Sequence, residues 1–352
     1  MMTFRYIGSK ARLVEELAKH IGSPNQTGGM FVDAFCGTGA VAETAMKLGW
    51  PVWLNDHMVS AGIISAARLI SKNEANFKCF GGYSEALKIL NGLEPLHGFI
   101  WREYSPASAL TAGVERRYFT EENAGRIDAI RSQISLWKKD GQLNRQEEQL
   151  LIADLLSATN RVANIAGTYG CFLSKWQSQA FNNLELLQRE LNPQPTTVRI
   201  TCEDVSNLQV NPNDLVYLDP PYTKRQYAAY YHILETIVIN DEPEVQGVSG
   251  LRPWQMKASD FCYKKRALDA LTNLIKKLNS NRILLSYSEE GHVPINQLMD
   301  NLSQIGSATP FKLMKVGRYR PNKTASMARS TVSEYLIVIE KDKLSSVREE
   351  VI

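Results

Sequence analysis

The hydrophobic period of the chain changes twice. It opens with a short amphipathic helix in "ARLVEELAKHI". "GGMFVDAFCGTGAVAETAMKLG" reads as strand, glycine turn and helix, with Gly49 as the stop signal. "PVWLND" is a second short strand ending in Asn55 and Asp56, and "MVSAGIISAARLI" returns to helical spacing. Residues 30–70 therefore predict a β-α-β-α order and a parallel sheet with right-handed crossovers. From 71 to about 195 strand-like runs are scarce. "EENAGRIDAIRSQISLWKKDG" predicts a helix capped by Thr120. "NRQEEQLLIADLLSATNRVANIA" predicts another, with Asn144 and Glu147 at capping-box spacing. The aromatic-basic stretches "FIWREY", "VERRYF" and "GTYGCFLSKW" read as loops around these helices. Strand signals resume in "TTVRITCED" and "DLVYLD". Helices follow in "QYAAYYHILETIVI" and in "SDFCYKKRALDALTNLIKKLNS", the latter with Ser259 as its cap candidate. "NRILLSYS" predicts a strand, and "FKLMKVGRYR" with "TVSEYLIVIEK" a terminal β-hairpin. The pattern is one α/β sheet domain, 1–70 and 196–352, split by a mainly helical insertion, 71–195.

Three strand ends carry chemistry. Asp33 ends the first strand, and Gly37 and Gly39 follow it before a helix. Glycines let the backbone turn tightly and approach a ligand, and a helix N-terminus offers free N–H groups and the positive end of a dipole. The turn is no P-loop, because G-K-[ST] is missing, and it lacks the third glycine of the dinucleotide fingerprint. A plain strand–helix turn is the competing reading. Asp56 ends the next strand, where an acidic side chain can accept hydrogen bonds from ribose hydroxyls or cap the helix that follows. "LVYLDPPY" ends a third apolar strand in Asp219, Pro220, Pro221 and Tyr222. Neither proline has an N–H for a sheet ladder. They fix a carbonyl beside a carboxylate, and Tyr222 adds a flat ring. Two acceptors and a stacking face suit a planar group bearing an NH2; a strand end followed by a proline turn is the bland alternative.

Composition narrows the class without choosing the chemistry. With 352 residues, the chain is long enough for a large domain with an insertion. Its 44% hydrophobic and 22% charged residues are ordinary for a globular protein, and a net charge of +3 leaves any basic surface to local clustering. No apolar run of roughly twenty residues predicts a membrane span, and "MMTFRYIGSKARL" has no signal-peptide core. The five cysteines, Cys36, Cys79, Cys171, Cys202 and Cys262, form no C-x-x-C pair. A zinc site or disulfide framework is not expected, and a reduced cytoplasm is. The histidines show no paired arrangement. His232 lies in a predicted helix and reads as packed or capping rather than as a general base.

"DPPY" after an apolar strand, with "DAFCGTG" upstream and "FRYIGSK" at the N-terminus, resembles the N6-adenine-specific DNA methyltransferases. The motif order resembles their α-class, shared with Dam-type enzymes. "NRVANIAGTYGCFLSKW" and "RQYAAYYHILET" are similar to segments of the FokI-type modification methylases. "FCGTG" departs from variants such as "FAGSG" at Cys36 and Thr38. The resemblance implies a Rossmann-like class I methyltransferase sheet, with the insertion as target-recognition domain. It also implies S-adenosylmethionine as cofactor, no metal, double-stranded DNA as partner, and a site in the cytoplasm near the nucleoid. A cognate restriction endonuclease or a solitary epigenetic role are both compatible with it. Residue by residue, it implies that Tyr6, Lys10, Asp33, Phe35, Gly37, Gly39, Asp56 and Asp204 form the cofactor pocket. Glu203 is the alternative to Asp204, and a helix cap a further reading of that residue.

The same resemblance makes Asp219, Pro220, Pro221 and Tyr222 the catalytic set. The adenine N6 lone pair is delocalised into the ring, so a carboxylate and a carbonyl accepting its two N–H groups would free it for methyl transfer. The base would have to leave the duplex. The best DNA-contact candidates are Lys224, Arg225 and Tyr227 after the catalytic loop, Arg161 and Lys175 in the insertion, and Arg318 and Arg320 in the terminal hairpin, with Lys323 and Arg329 beside them. Trp101, Arg102, Arg116, Arg117, Tyr118, Tyr169 and Trp176 are further candidates to hold phosphates, read base edges or stack. N4-cytosine methylation uses the same two-acceptor logic, and a non-catalytic DNA- or partner-binding protein on this fold is a different class of answer.

Overall fold

A computed structural model of the protein describes residues 4–24, 28–317 and 331–341, with 314–317 and 331 described by backbone alone. The chain separates into two compact units. One comprises Ser9–His57, Thr197–Gln226 and Ser259–Ile352; the other Met1–Gly8, Met58–Thr196 and Tyr227–Ala258. The helical unit thus gathers, besides the predicted insertion, the N-terminal segment through Gly8 and residues 58–70 and 227–258.

In the first unit the described strands are β1 (Phe31–Asp33), β2 (Val52–Asn55), β3 (Val198–Thr201), β4 (Leu215–Leu218), β5 (Arg282–Ser288), β6 (Ser307–Gly317) and β7 (Thr331–Glu340). They form one mixed sheet in the order β3-β2-β1-β4-β5-β7-β6. β1 to β5 run parallel, and β7 pairs antiparallel with both β5 and β6. The parallel strands and the antiparallel final pair match the Rossmann-like sheet expected from the sequence. Its parallel centre is buried on both faces, so the apolar residues of successive positions divide between two cores. Val32, Val216, Leu218, Ile283, Leu285, Ile337 and Ile339 pack into one. Phe31, Leu215, Tyr217, Leu284, Leu336 and Val338 pack into the other, under the Leu13, Leu17 and Ile21 stripe of the helix Val14–Ile21. The same two-residue step, continued past the apolar positions, carries Phe31 to Asp33, Tyr217 to Asp219 and Leu336 to Glu334 on this second face.

The strand order reverses at β1, whose neighbours are β2 and β4. At such a point the loops after adjacent strands diverge and leave a crevice at the carboxyl edge.

The helical unit has its own core, built from residues such as Tyr104, Tyr118, Phe119, Ile134, Leu155 and Tyr169. Its long helices are Glu121–Lys139 and Arg145–Val162. Thr120 caps the first by accepting from the Asn123 amide. Asn144 and Glu147 close the expected capping box on the second, and Glu147 also takes the Phe77 amide at 2.5 Å. Two local expectations fail. "FIWREY" is a helix, Phe99–Tyr104, whose first turn is held by Asp128 accepting from the Ile100 and Trp101 amides. Ser259 caps nothing; its helix starts at Ala267, after a separate turn at Asp260–Cys262. The Ser259 amide and carbonyl are instead both paired with the Gln226 side chain.

Replacing Asn144 by Ala removes the acceptor of the capping box. Urea unfolding should show a loss of about 1 kcal/mol, with the sheet unit's chemistry unaffected.

Candidate active site

At the end of β1 the chain folds back on itself over two left-handed glycines, Gly37 (φ 49°) and Gly39 (φ 74°). The turn is pinned to its neighbours through the backbone. The Cys36 amide donates to the Asn55 carbonyl at 2.9 Å, the Ala34 amide to the Tyr217 carbonyl at 3.1 Å, and the Gly37 amide to Asp56 Oδ2 at 3.0 Å. Gly39 then precedes the helix Ala40–Lys47, whose cap position has no side-chain acceptor.

Asp33 is 1% exposed, and its Oδ1 has no hydrogen-bond partner. Burial pushes its pKa well above the usual carboxylate range, and the charges of Asp219 and Asp56 push further. Amides of Ala42 and Phe35 pull the other way. A buried, partly unsatisfied carboxylate is unfavourable by itself. It is the arrangement expected of a group that meets a cationic ligand.

Asp219 leaves the end of β4 toward the same edge. Its Oδ1 accepts from Lys10 Nζ at 2.9 Å, and Lys10 is only 6% exposed. The same ammonium lies 3.7 Å from Glu334 Oε2 and 3.5 Å from the Tyr222 hydroxyl. Burial alone would lower the Lys10 pKa, but Asp219, Tyr222 and Glu334 outweigh it and hold the ammonium well above its ordinary range. Burial raises the pKa of Asp219, and Lys10 pulls against the rise. Tyr222 is pushed up to about 12, chiefly by burial.

The segment after Asp219 is tied down at several points. The Tyr222 carbonyl accepts from the His292 amide at 2.9 Å, and the ring packs edge-on to Tyr287 with centroids 5.8 Å apart. The Arg225 carbonyl accepts from Cys262 Sγ at 3.2 Å, and Gln226 holds Ser259. The two prolines are thus part of a rigid frame rather than of a loose turn.

The remaining candidates lie as follows. Phe35 packs edge-on to Phe261 at 5.6 Å. Asp204 is exposed, and its Oδ1 accepts from the Ser206 amide and hydroxyl, the cap that was its alternative reading. Burial raises its pKa, but those bonds and the nearby His57 and Lys277 lower it overall. Lys224 is exposed and Arg225 half-buried. Tyr6 and Tyr227 belong to the helical unit. There Tyr6 stacks on Tyr231 at 4.3 Å, and Tyr227 donates to the Ile7 carbonyl at 3.1 Å. Arg161 is half-buried and donates to the Glu185 carbonyl, while Lys175 is exposed. Arg318, Arg320, Lys323 and Arg329 lie outside the described residues.

Three expectations for DNA contact are corrected. Tyr118 and Tyr169 are fully buried, and Arg116 is buried in an ion pair with Glu103 at 2.7 Å. Aromatic-basic stretches look alike in sequence whether their rings face solvent or a core. His232 is packed, with Nε2 2.9 Å from the Tyr169 carbonyl, and burial lowers its pKa to about 3.

Two residues have no motif to announce them. Asn55 is buried between the ends of three strands. Its amide donates to the Ala34 and Glu203 carbonyls at 3.2 Å, and its oxygen accepts from Thr201 Oγ1 at 2.8 Å and the Glu203 amide at 3.2 Å. It holds the β1, β2 and β3 loops in register. Glu334, on a hairpin strand, brings a carboxylate to Lys10; the only sequence signal is its place on the alternation of β7.

Comparison with known proteins points the same way. A family model described as D12 class N6 adenine-specific DNA methyltransferase matches residues 6–293. The Type II methyltransferase M.FokI of Planomicrobium okeanokoites is 33% identical over 352 residues, covering 96% of this chain and 53% of that protein. Modification methylase StsI of Streptococcus sanguinis is 31% identical, with 97% and 52% covered. Type II methyltransferase M.NlaIII of Neisseria lactamica is 31% identical, with 96% and 99% covered. The chain therefore spans about half the length of the first two and nearly all of the third.

The Asp33 environment makes a prediction about stability. A carboxylate whose folded pKa lies above its ordinary 3.8 destabilises the fold at pH above the raised value, and the penalty fades as pH falls through that value. Asp33→Asn should therefore stabilise the protein by about 1–3 kcal/mol at pH above that value. Urea unfolding at stepwise lower pH should show that advantage shrinking.

Proposed function

The chain belongs to the D12 class of N6 adenine-specific DNA methyltransferases, and from that premise we propose that it transfers a methyl group from S-adenosylmethionine to the N6 amino group of an adenine at a specific site in double-stranded DNA. The observation that carries the reading is the pair of carboxylates at the carboxyl edge of adjacent strands. Asp33 is buried with an unpartnered oxygen, and Asp219 is held by Lys10 on a proline-braced frame.

The residues present fit the cofactor. Asp33 would meet the ammonium of its methionine part, and the turn at Gly37 and Gly39 before the helix Ala40–Lys47 would take its carboxylate. Asp56 at the end of β2 would take the ribose hydroxyls. Asp204 or Glu203 would take the adenine amino group, and Phe35, Tyr6 and Lys10 complete the set implied by the family. When bound, S-adenosylmethionine supplies a methyl group on a positively charged sulfur.

The target base meets a different part of the chain. Asp219 and the Pro220 carbonyl accept the two N–H bonds of the amino group. That bonding draws the nitrogen lone pair out of conjugation with the ring and directs it toward the methyl donor. Tyr222 covers the face of the base, and Pro221 keeps carbonyl and carboxylate at a fixed spacing. Catalysis on this reading is positioning and preorganised electrostatics. Reaching Asp219 requires the base to leave the duplex. Lys224 and Arg225, directly after the frame, would neutralise flanking phosphates, and Arg161, Lys175, Tyr227, Arg318 and Arg320 are further DNA contacts. The Type II relatives support a role in restriction-modification, with a cognate endonuclease as functional partner.

Modification-sensitive sequencing of DNA from cells expressing the protein should reveal N6-methyladenine in one sequence motif, lost with Asp219→Ala. N4-methylcytosine in that motif, or no modified base, would overturn the reading. In vitro, Asp219→Ala should lower methyl transfer by at least about a hundredfold, as expected when a preorganised polar group at the reacting atom is lost. Lys224→Ala and Arg225→Ala should each weaken DNA binding without changing the methylated motif. Each should also reduce the slope of log affinity against log salt by about 1.

A further inference from the structure

Lys10 poses a problem for any reaction in which Asp219 works as an acceptor. Its ammonium sits 2.9 Å from Asp219 Oδ1, drawing electron density from the carboxylate that must bond the target amino group. Expelling it is costly, because a buried ammonium without a partner is strongly destabilising. A second carboxylate stands within reach. Glu334 Oε2 is 3.7 Å from the same Nζ, less than an ångström farther than Asp219 Oδ1. It is buried and makes no hydrogen bond there. Ser288 faces Glu334 across the β5–β7 ladder. The backbone of this edge is braced again by the Glu289 amide, which donates to the Ser333 carbonyl at 3.0 Å.

We propose that Glu334 is a positioning residue that receives the Lys10 ammonium when the target amino group binds Asp219, so that Asp219 becomes a full acceptor without leaving a buried cation unpaired. No proton or bond changes hands; one hydrogen bond from Lys10 is exchanged for another. The inference rests on the proposed role of Asp219 and extends it to a strand beyond the residues that the family model matches. Glu334 touches neither base nor cofactor in this scheme, and acts through Lys10.

Two measurements test it. In single-turnover methyl transfer, Glu334→Gln should slow the chemical step by about tenfold, about 1.4 kcal/mol of barrier, while DNA affinity stays within about twofold. In a Lys10→Met background the same substitution should add no further loss, since no ammonium remains to be moved. Equal losses in both backgrounds, or an unchanged chemical step, would overturn the proposal. The second measurement needs no catalysis. In Asp219→Asn protein, Glu334 is, among the described residues, the carboxylate left within reach of Lys10. Glu334→Gln should therefore lower the urea midpoint more there than in the wild-type chain, and equal shifts would refute the exchange. If the wild-type chain leaves DNA adenine unmethylated, the functional reading fails; the unfolding cycle still decides whether Lys10 is shared.

Discussion

Ionised side chains buried at a sheet edge are stable only if something answers their charge. At the carboxyl edge of this sheet one lysine answers two carboxylates. Lys10 bonds Asp219 and lies close to Glu334, while Asp33, on the same face, keeps an oxygen with no hydrogen bond. The helix that starts shortly after Lys10 packs Leu13, Leu17 and Ile21 onto that face. The lysine is therefore delivered by a helix whose own stability comes from apolar burial. The arrangement leaves Asp33 with an unanswered carboxylate oxygen and Asp219 paired with an ammonium.

The rest of the sheet unit serves to keep this edge still. Asn55 couples the ends of three strands, Asp56 holds the Gly37 amide, and Gln226, Cys262 and His292 fasten the segment after β4. None of these contacts is large in energy. Each removes a degree of freedom from the backbone that carries the glycine turn and the segment after Asp219. The helical unit follows the opposite logic, with a continuous apolar core and long helices closed by side-chain caps.

Much of this was legible where the physics is local. The Thr120 cap and the Asn144–Glu147 box involve residues three apart, and both form as their spacing predicts. The glycine turn was legible because only glycine adopts its two left-handed positions easily. Local reading failed where a distant partner intervened. Ser259 has the chemistry of a cap, but Gln226 occupies its backbone groups. "FIWREY" is too short and too aromatic to announce a helix, and becomes one because Asp128 satisfies its first amides. Tyr118 and Tyr169 looked like surface aromatics and are core.

The sequence by itself determined the strand-turn-helix order, the alternation that carries a carboxylate to each of two strand ends, and the proline frame after Asp219. All of these follow from steps of two to four residues and from the restricted backbone of Gly and Pro. Only the tertiary structure decided which charges meet. Lys10 and Tyr222 are 212 positions apart, and their approach, like that of Lys10 to Asp219 and Glu334, depends on the order in which seven strands lie side by side. Strand order is set by packing and crossover geometry summed over the whole sheet, which no short window of sequence contains.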